Sequence, residues 1–499
     1  MHKEIEVNIR TLPLVADDFY RLAHNFHRER NFVFLDSRLA QSRFSRCSYL
    51  SFEPFAVARV LGLSTSVEWR AGQVDVLRGN AFDSLRRLLG PFQADPNRLP
   101  PKAREYFIGG AAGYLSYQLR HQVEDLPSRA VDDMGIPHAV VGLFNFSVIL
   151  NQRENQVLLA HFHPGVECAY PDVHTLEAAL LKAAKQNIEP VEAGRLVEPA
   201  GCCVASLSRM SYLDAVRRIK EYILAGDIYQ ANFSQRFSVR LAEHSPWRLY
   251  CNLMRLNPAP FAAYLDFNDL QVLSSSPERF LQVDGRRVET RPIKGTIRRG
   301  SCPEEDRELR AWLYKSEKNR AELAMIVDLM RNDIGRVCEF GSVRVLAFPE
   351  IETYSSVHHL VSTVEGWLKE GKDIFDLLQA TFPGGSITGA PKIRSMEIID
   401  ELEPVERGVY TGCIGYIGVN GLTDLNIAIR TIVLANRMAY LNAGGGIVMD
   451  SDPEDEYAES LLKARNLLLA IGAGKPTSVE INHDHLAEWR VGRRGPNQD

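Results

Sequence analysis

Long apolar runs are missing from this chain of 499 residues. None approaches the roughly 20 residues that a membrane-spanning helix needs, so no membrane partner is expected. The opening Met-His-Lys-Glu-Ile-Glu-Val lacks the basic and then apolar pattern of a secretory signal, and the expected location is the cytoplasm. Cysteine is sparse. The eight present are scattered apart from the neighbours Cys202 and Cys203, without the paired spacing of a zinc site or a small disulfide scaffold. Gly201-Cys-Cys-Val is not the glycine-flanked elbow of a glutaminase cysteine, so the thiols read as bystanders. Nor is there an excess of positive charge: 58 Lys and Arg face 63 Asp and Glu, for a net charge of −5. That excludes bulk electrostatic attraction to nucleic acid or an anionic membrane. Internal repeats and low-complexity tracts are absent too.

What remains is an ordinary globular composition, 45% hydrophobic and 24% charged, enough to bury a sizeable core. The length allows two or three domains, or one large β-rich unit. Residues 1–190 mix strand-like stretches with the glycine-rich run Phe107-Ile-Gly-Gly-Ala-Ala-Gly-Tyr-Leu-Ser-Tyr117. Residues 191–207 read as a linker, 208–475 as a second region, and 476–499 as a poorly ordered tail. In the second region Ser211 with Asp214 resembles a capping arrangement ahead of the stripe Leu213, Val216, Ile219 and Ile223. A strand is expected over 229–241, a helix over 316–330, and another from Asp452-Pro453 to about Ile471. Thr423 to Val433 reads as β-rich.

Several residues carry candidate chemistry. Lys294 lies in Arg291-Pro-Ile-Lys-Gly-Thr296, read as a loop. An amine held partly out of water loses charge and becomes a nucleophile; the alternative is a lysine snorkelling to solvent. Helical spacing puts Glu322 on the face of Met325, Ile326 and Leu329, where a carboxylate needs a partner. Glu456, Glu459 and Lys463 share one face near a helix N-terminus. They form either a solvated face with an internal ion pair or, with a carboxylate from another helix, a magnesium site. A period of two turns Arg430 away from Leu425, Ile427 and Ile429. With Gly444, Gly445 and Gly446 it would make a carboxylate-reading site, although such glycines also make turns or bulges. Glu278, after Ser274-Ser-Ser-Pro, is either a buried proton donor or half of a surface salt bridge. His359 is a candidate for orienting groups or shuttling protons.

Together these segments resemble the chorismate-utilising enzymes, the family of anthranilate synthase large subunits, isochorismate and salicylate synthases, and aminodeoxychorismate synthase component I. The resemblance is carried by Gly226-Asp-Ile-Tyr-Gln-Ala-Asn-Phe-Ser-Gln-Arg-Phe237, Ser275-Ser-Pro-Glu278, Pro292-Ile-Lys-Gly-Thr296, Arg331-Asn-Asp-Ile-Gly335 and Val357-His-His-Leu-Val-Ser362. Pro383-Gly-Gly-Ser-Ile-Thr-Gly-Ala-Pro-Lys392, Tyr410-Thr-Gly412 and the stretch from Gly444 to Glu459 complete it. It implies an α+β fold of two interlocked subdomains, built on two large, mainly antiparallel sheets with outer helices and the active site between the sheets. It also implies Mg2+ on Glu322 and Glu459 with Glu456 close by, bridging to the ring carboxylate of chorismate. Tyr410, Arg430, Lys463 and the backbone of Gly444, Gly445 and Gly446 would fix the substrate carboxylates. Glu278 would protonate the departing C4 hydroxyl, with Thr296 and His359 orienting the ring.

Two positions separate the family's branches. Gln230 stands where water-adding members carry a general-base lysine, which disfavours isochorismate and salicylate synthases. Lys294 stands where anthranilate synthases carry alanine, and this resembles the aminodeoxychorismate branch. The implied reaction is amination of chorismate at C4 for 4-aminobenzoate and folate synthesis, with Lys294 as covalent nucleophile at C2. No Cys-His-Glu glutaminase arrangement is evident, so the resemblance implies a separate glutamine amidotransferase subunit as ammonia donor. Phe34-Leu-Asp-Ser37 and Asn257-Pro-Ala-Pro resemble the family's tryptophan-binding segments, which marks Ser37, Asn257 and Pro258 for a pocket that is either functional or empty. The other readings are an anthranilate synthase large subunit with an unusual lysine, and a non-catalytic scaffold for a glutaminase subunit.

Overall fold

Strands such as Ala139–Phe144 and Phe146–Asn151 are buried at every position, as a strand must be when both faces of its sheet are covered. The computed structural model describes residues 5–37, 46–95, 98–186, 202–242, 245–354 and 357–473. Two twelve-stranded sheets organise them, and the paired strands run antiparallel. Facing side chains fill the space between the sheets, with Val33, Tyr49, Ile149 and Val272 from one meeting Ala112, Leu143, Leu281 and Tyr416 from the other. Helices Ala16–Phe26, Val173–Ala184, Pro246–Leu256 and Pro453–Ala470 contribute to a second apolar cluster with residues of the first sheet. This is the expected α+β architecture.

Both sheets interleave the two halves of the chain. In the first, Phe32–Asp36 pairs with Phe261–Asp266, setting Phe34 opposite Tyr264. In the second, Gly110–Leu115 pairs with Cys413–Gly418. The glycine-rich run is therefore a central strand. Of the expected linker, residues 191–201 lie outside the described residues, while Cys203–Ala205 forms an edge strand against Phe237–Val239. The tail 476–499 also lies outside them.

Helix ends follow their caps. Asp452 accepts from the backbone of Glu454 and Asp455 and starts Pro453–Ala470 as expected. The cap of Arg209–Leu224 is Ser208, whose hydroxyl accepts from Ser211 N at 3.0 Å. Ser211 is thus inside the first turn rather than at the cap. The helix expected to stop at Met330 runs from Glu317 to Gly335, because no proline or capping glycine intervenes. Among the described residues, no helix is long and apolar enough to cross a membrane.

Candidate active site

Glu278 directly precedes the strand Arg279–Asp284, and Ser276 Oγ accepts from its backbone N–H at 3.2 Å. Its side chain is buried. Burial pushes the carboxyl up to about 7, against the Ser386 hydroxyl, the Lys294 amine and the Ile293 backbone, which favour the charged form. The salt bridge with the adjacent Arg279 is not formed; Arg279 pairs with Asp424 and Glu289 instead.

Lys294 belongs to the strand Ile293–Arg298, not to a loop. Its pairing with Val357–Trp367 breaks register between Ile293 and Thr296, and Gly295 takes φ 79° at the irregularity. A bulge of this kind re-aims a side chain, which a prolyl and glycyl flank made look like a loop. The amine donates to the Ser386 carbonyl at 3.2 Å. Burial pushes its pKa down, while Glu322 and Glu278 pull it back up. Ser386, in the turn Gly385–Ile387, therefore meets both groups. Ser386 stands inside the motif from Pro383 to Lys392, but no local pattern there marks it as a site residue.

Beyond the bulge Thr296 lies opposite His359, with Oγ1 and Nδ1 2.8 Å apart. Burial, Arg430 and His358 push the His359 pKa down to about 4, which favours the neutral ring near neutral pH.

Arg430 departs from the period of two. Thr423–Ile427 belongs to the second sheet and Thr431–Ala435 to the first, so the chain changes sheets between them. Arg430 sits in that passage with φ 53°, a left-handed conformation that costs a non-glycine residue about 1–2 kcal/mol. Burial lowers the guanidinium pKa, opposed by Tyr410 and Glu459. Tyr410 is buried, which pushes its hydroxyl up to about 12.

Gly444, Gly445 and Gly446 form no turn: they lie in the strand Met438–Ile447, opposite Ser234, Phe233 and Asn232. A Cβ on Gly445 would fall 3.1 Å from Glu456 Oε2 and 3.6 Å from Glu459 Oε1, so the missing side chain opens the space beside these carboxylates. Lys463 donates to the Gly444 carbonyl at 2.8 Å and pairs with Glu459 at 2.6 Å. Burial raises the pKa of Glu322 and of Glu456, and Glu459 repels both. The Glu459 side chain is half exposed, and the partial desolvation that raises its pKa is outweighed by Lys463, Lys318 and Lys294, which leave it low. An all-oxygen donor set suits magnesium. Among the described residues no three of His, Cys, Asp and Glu are grouped to hold an ion unaided, so further ligands would come from substrate and water.

Ser37 lines a separate cavity of about 520 Å³, together with Phe261, Arg279 and Asp424. Its hydroxyl donates to the Pro260 carbonyl at 2.8 Å. Asn257 and Pro258 are not in that lining: Pro258 is exposed, and Asn257 Nδ2 donates to Ser275 Oγ at 2.8 Å.

The family model described as chorismate binding enzyme matches residues 46–469. The chain belongs to the chorismate-binding enzyme family. Among relatives, the aminodeoxychorismate synthase component 1 of Bacillus subtilis is 36% identical over 457 residues, 91% of this chain and 95% of that protein. Anthranilate synthase component 1 of Thermus thermophilus is 45% identical over 388 residues, 77% of this chain and 81% of that one. The crystal structure of anthranilate synthase component I from Streptococcus pneumoniae superposes with a TM-score of 0.73 at 32% identity, covering 86% of this chain and 93% of that one. This chorismate-binding enzyme thus has relatives in both amination branches at comparable distance.

Proposed function

We propose that the chain aminates chorismate at C4, yielding 4-amino-4-deoxychorismate for 4-aminobenzoate and folate synthesis in the cytoplasm. The observation that carries this reading is the Lys294 amine, held on Ser386 and depressed in pKa beside the proton-bearing Glu278. The neutral amine attacks C2, the ring double bonds shift, and the C4–O bond breaks as Glu278 gives its proton to the departing hydroxyl, which leaves as water. Ammonia then bonds to C4, the double bonds shift back, and the C2–N bond breaks to release Lys294 as a neutral amine. The surplus proton on the new amine returns to Glu278. Tyr410 and Arg430 would hold substrate carboxylates, while Thr296 and neutral His359 orient the ring. Glu322 and Glu459, with Glu456 close by, would hold magnesium together with substrate and water, and the ion when bound would supply positive charge beside the ring carboxylate. Relatives carry the name component 1, which supports a second component; on the proposed reaction that component is a glutamine amidotransferase that supplies ammonia.

Product identification from chorismate, magnesium and ammonium tests the reading. The wild type is expected to give a C4-amino product that keeps its enolpyruvyl group, and Lys294→Ala to lose it or divert amination to C2. Anthranilate from the wild type would assign the other branch; C4 product from Lys294→Ala at the wild-type rate would remove the nucleophile role.

A further inference from the structure

The backbone of Arg430 is gripped by residues to which the amination reaction gives no part. Its carbonyl accepts from Ser275 N at 3.0 Å and from Ser275 Oγ at 3.1 Å. That hydroxyl is in turn the acceptor for Asn257 Nδ2 at 2.8 Å. Ser275 is fully buried in the strand Leu270–Ser276, whose neighbour Ser274 lies opposite Thr431, with the two hydroxyls 2.9 Å apart. Asn257 caps the end of the helix Pro246–Leu256, its N–H donating to the Leu253 carbonyl. Thus a left-handed arginine, at the point where the chain leaves one sheet for the other, is tied to a helix end through one serine. A residue in a sparsely populated backbone conformation persists when its surroundings over-determine it.

We propose that Ser275 and Asn257 are positioning residues, which fix the Arg430 backbone so that its guanidinium is aimed at a substrate carboxylate. The inference rests on Arg430 as the carboxylate-binding residue of the proposed function, but not on whether amination occurs at C2 or C4. Ser275 Oγ has one proton, spent on the Arg430 carbonyl, and a lone pair that takes the Asn257 amide. Alanine at 275 leaves the backbone bond in place and removes the hydroxyl bond, so the passage loosens without losing its partner strand.

The test is steady-state consumption of chorismate by the wild type, Ser275→Ala, Asn257→Ala, Arg430→Ala and the double variant Ser275→Ala/Arg430→Ala. A residue that acts through uniform substrate binding moves KM, so Ser275→Ala is expected to raise KM about tenfold with kcat within about twofold. Asn257→Ala should move KM in the same direction by less, and it carries the test if Ser275→Ala does not fold. In the Arg430→Ala background Ser275→Ala should add nothing further, because both changes act through one group. An unchanged KM in Ser275→Ala and Asn257→Ala, with Arg430→Ala raising it, would overturn this inference alone. Full additivity in the double variant would also overturn it. An unchanged KM in Arg430→Ala would remove the carboxylate role on which it rests.

Discussion

At the scale of single residues, Glu278 and Lys294 are tuned as a pair. With its carboxyl pushed up to about 7, Glu278 holds its proton below that pH and loses it above. A general acid must carry its proton, so kcat/KM should fall as pH rises through about 7. The Ser386 hydroxyl favours the charged carboxylate, and removing it favours the protonated one. Ser386→Ala should therefore move the falling limb to higher pH. Lys294, in the fraction that is protonated, also favours the charged carboxylate, and Lys294→Ala should move the limb the same way in any residual activity. His359, near 4, contributes no limb in the neutral range. The check is the pH dependence of kcat/KM; a limb that stays in place in Ser386→Ala would show that the hydroxyl does not set the acid.

At the scale of elements, the site is made where two helices and two strands come within reach of one another. Glu322 comes from the helix Glu317–Gly335, and Glu456 and Glu459 from Pro453–Ala470. The strand carrying Gly445 passes beside Glu456 and Glu459. Gly445→Ala should fold normally, since this glycine has no positive φ, yet its methyl would press on Glu456. The expected result is a higher magnesium requirement, read from activity against magnesium concentration, with little change in the unfolding midpoint. Loss of stability at unchanged magnesium dependence would count against a carboxylate site beside Gly445. Much of this was legible beforehand. The helical spacing of Glu456, Glu459 and Lys463 and the Asp452-Pro453 cap follow from local rules, and the structure keeps them. Arg430 is placed by a strand period that does not reach it and Lys294 reads as a loop, because both sit at interruptions of a strand, one at a change of sheet and one at a bulge. Strand periodicity describes uninterrupted ladders and carries no signal for where a distant partner breaks one. Ser275 and Ser386 escaped notice for a related reason: their importance lies in contacts with residues more than 90 positions away.

At the scale of the whole molecule, the interleaving of the two halves decides how the chain folds. Cutting between residues 186 and 202 would strip Phe32–Asp36 of its Phe261–Asp266 neighbour and Gly110–Leu115 of Cys413–Gly418. Each lost pairing would expose an unpaired strand edge in the middle of a sheet, the kind of template that aggregates. It would also separate Arg120 from Asp400, a pair at 2.6 Å whose side chains are 3% and 0% exposed. A charge left buried without its partner is destabilising by about 3–5 kcal/mol. The first half is therefore expected not to fold by itself, and the intact chain to unfold in one cooperative step despite its length. Urea unfolding followed by near-UV and far-UV circular dichroism should give coincident transitions, and residues 1–186 expressed alone should be insoluble or lack near-UV signal. A soluble fragment with native-like near-UV signal, or two separated transitions in the intact chain, would mean that the halves are independent units. The substrate site would then be supported by the second half alone, and the pairing of sheets across the chain would serve only to dock one unit on the other.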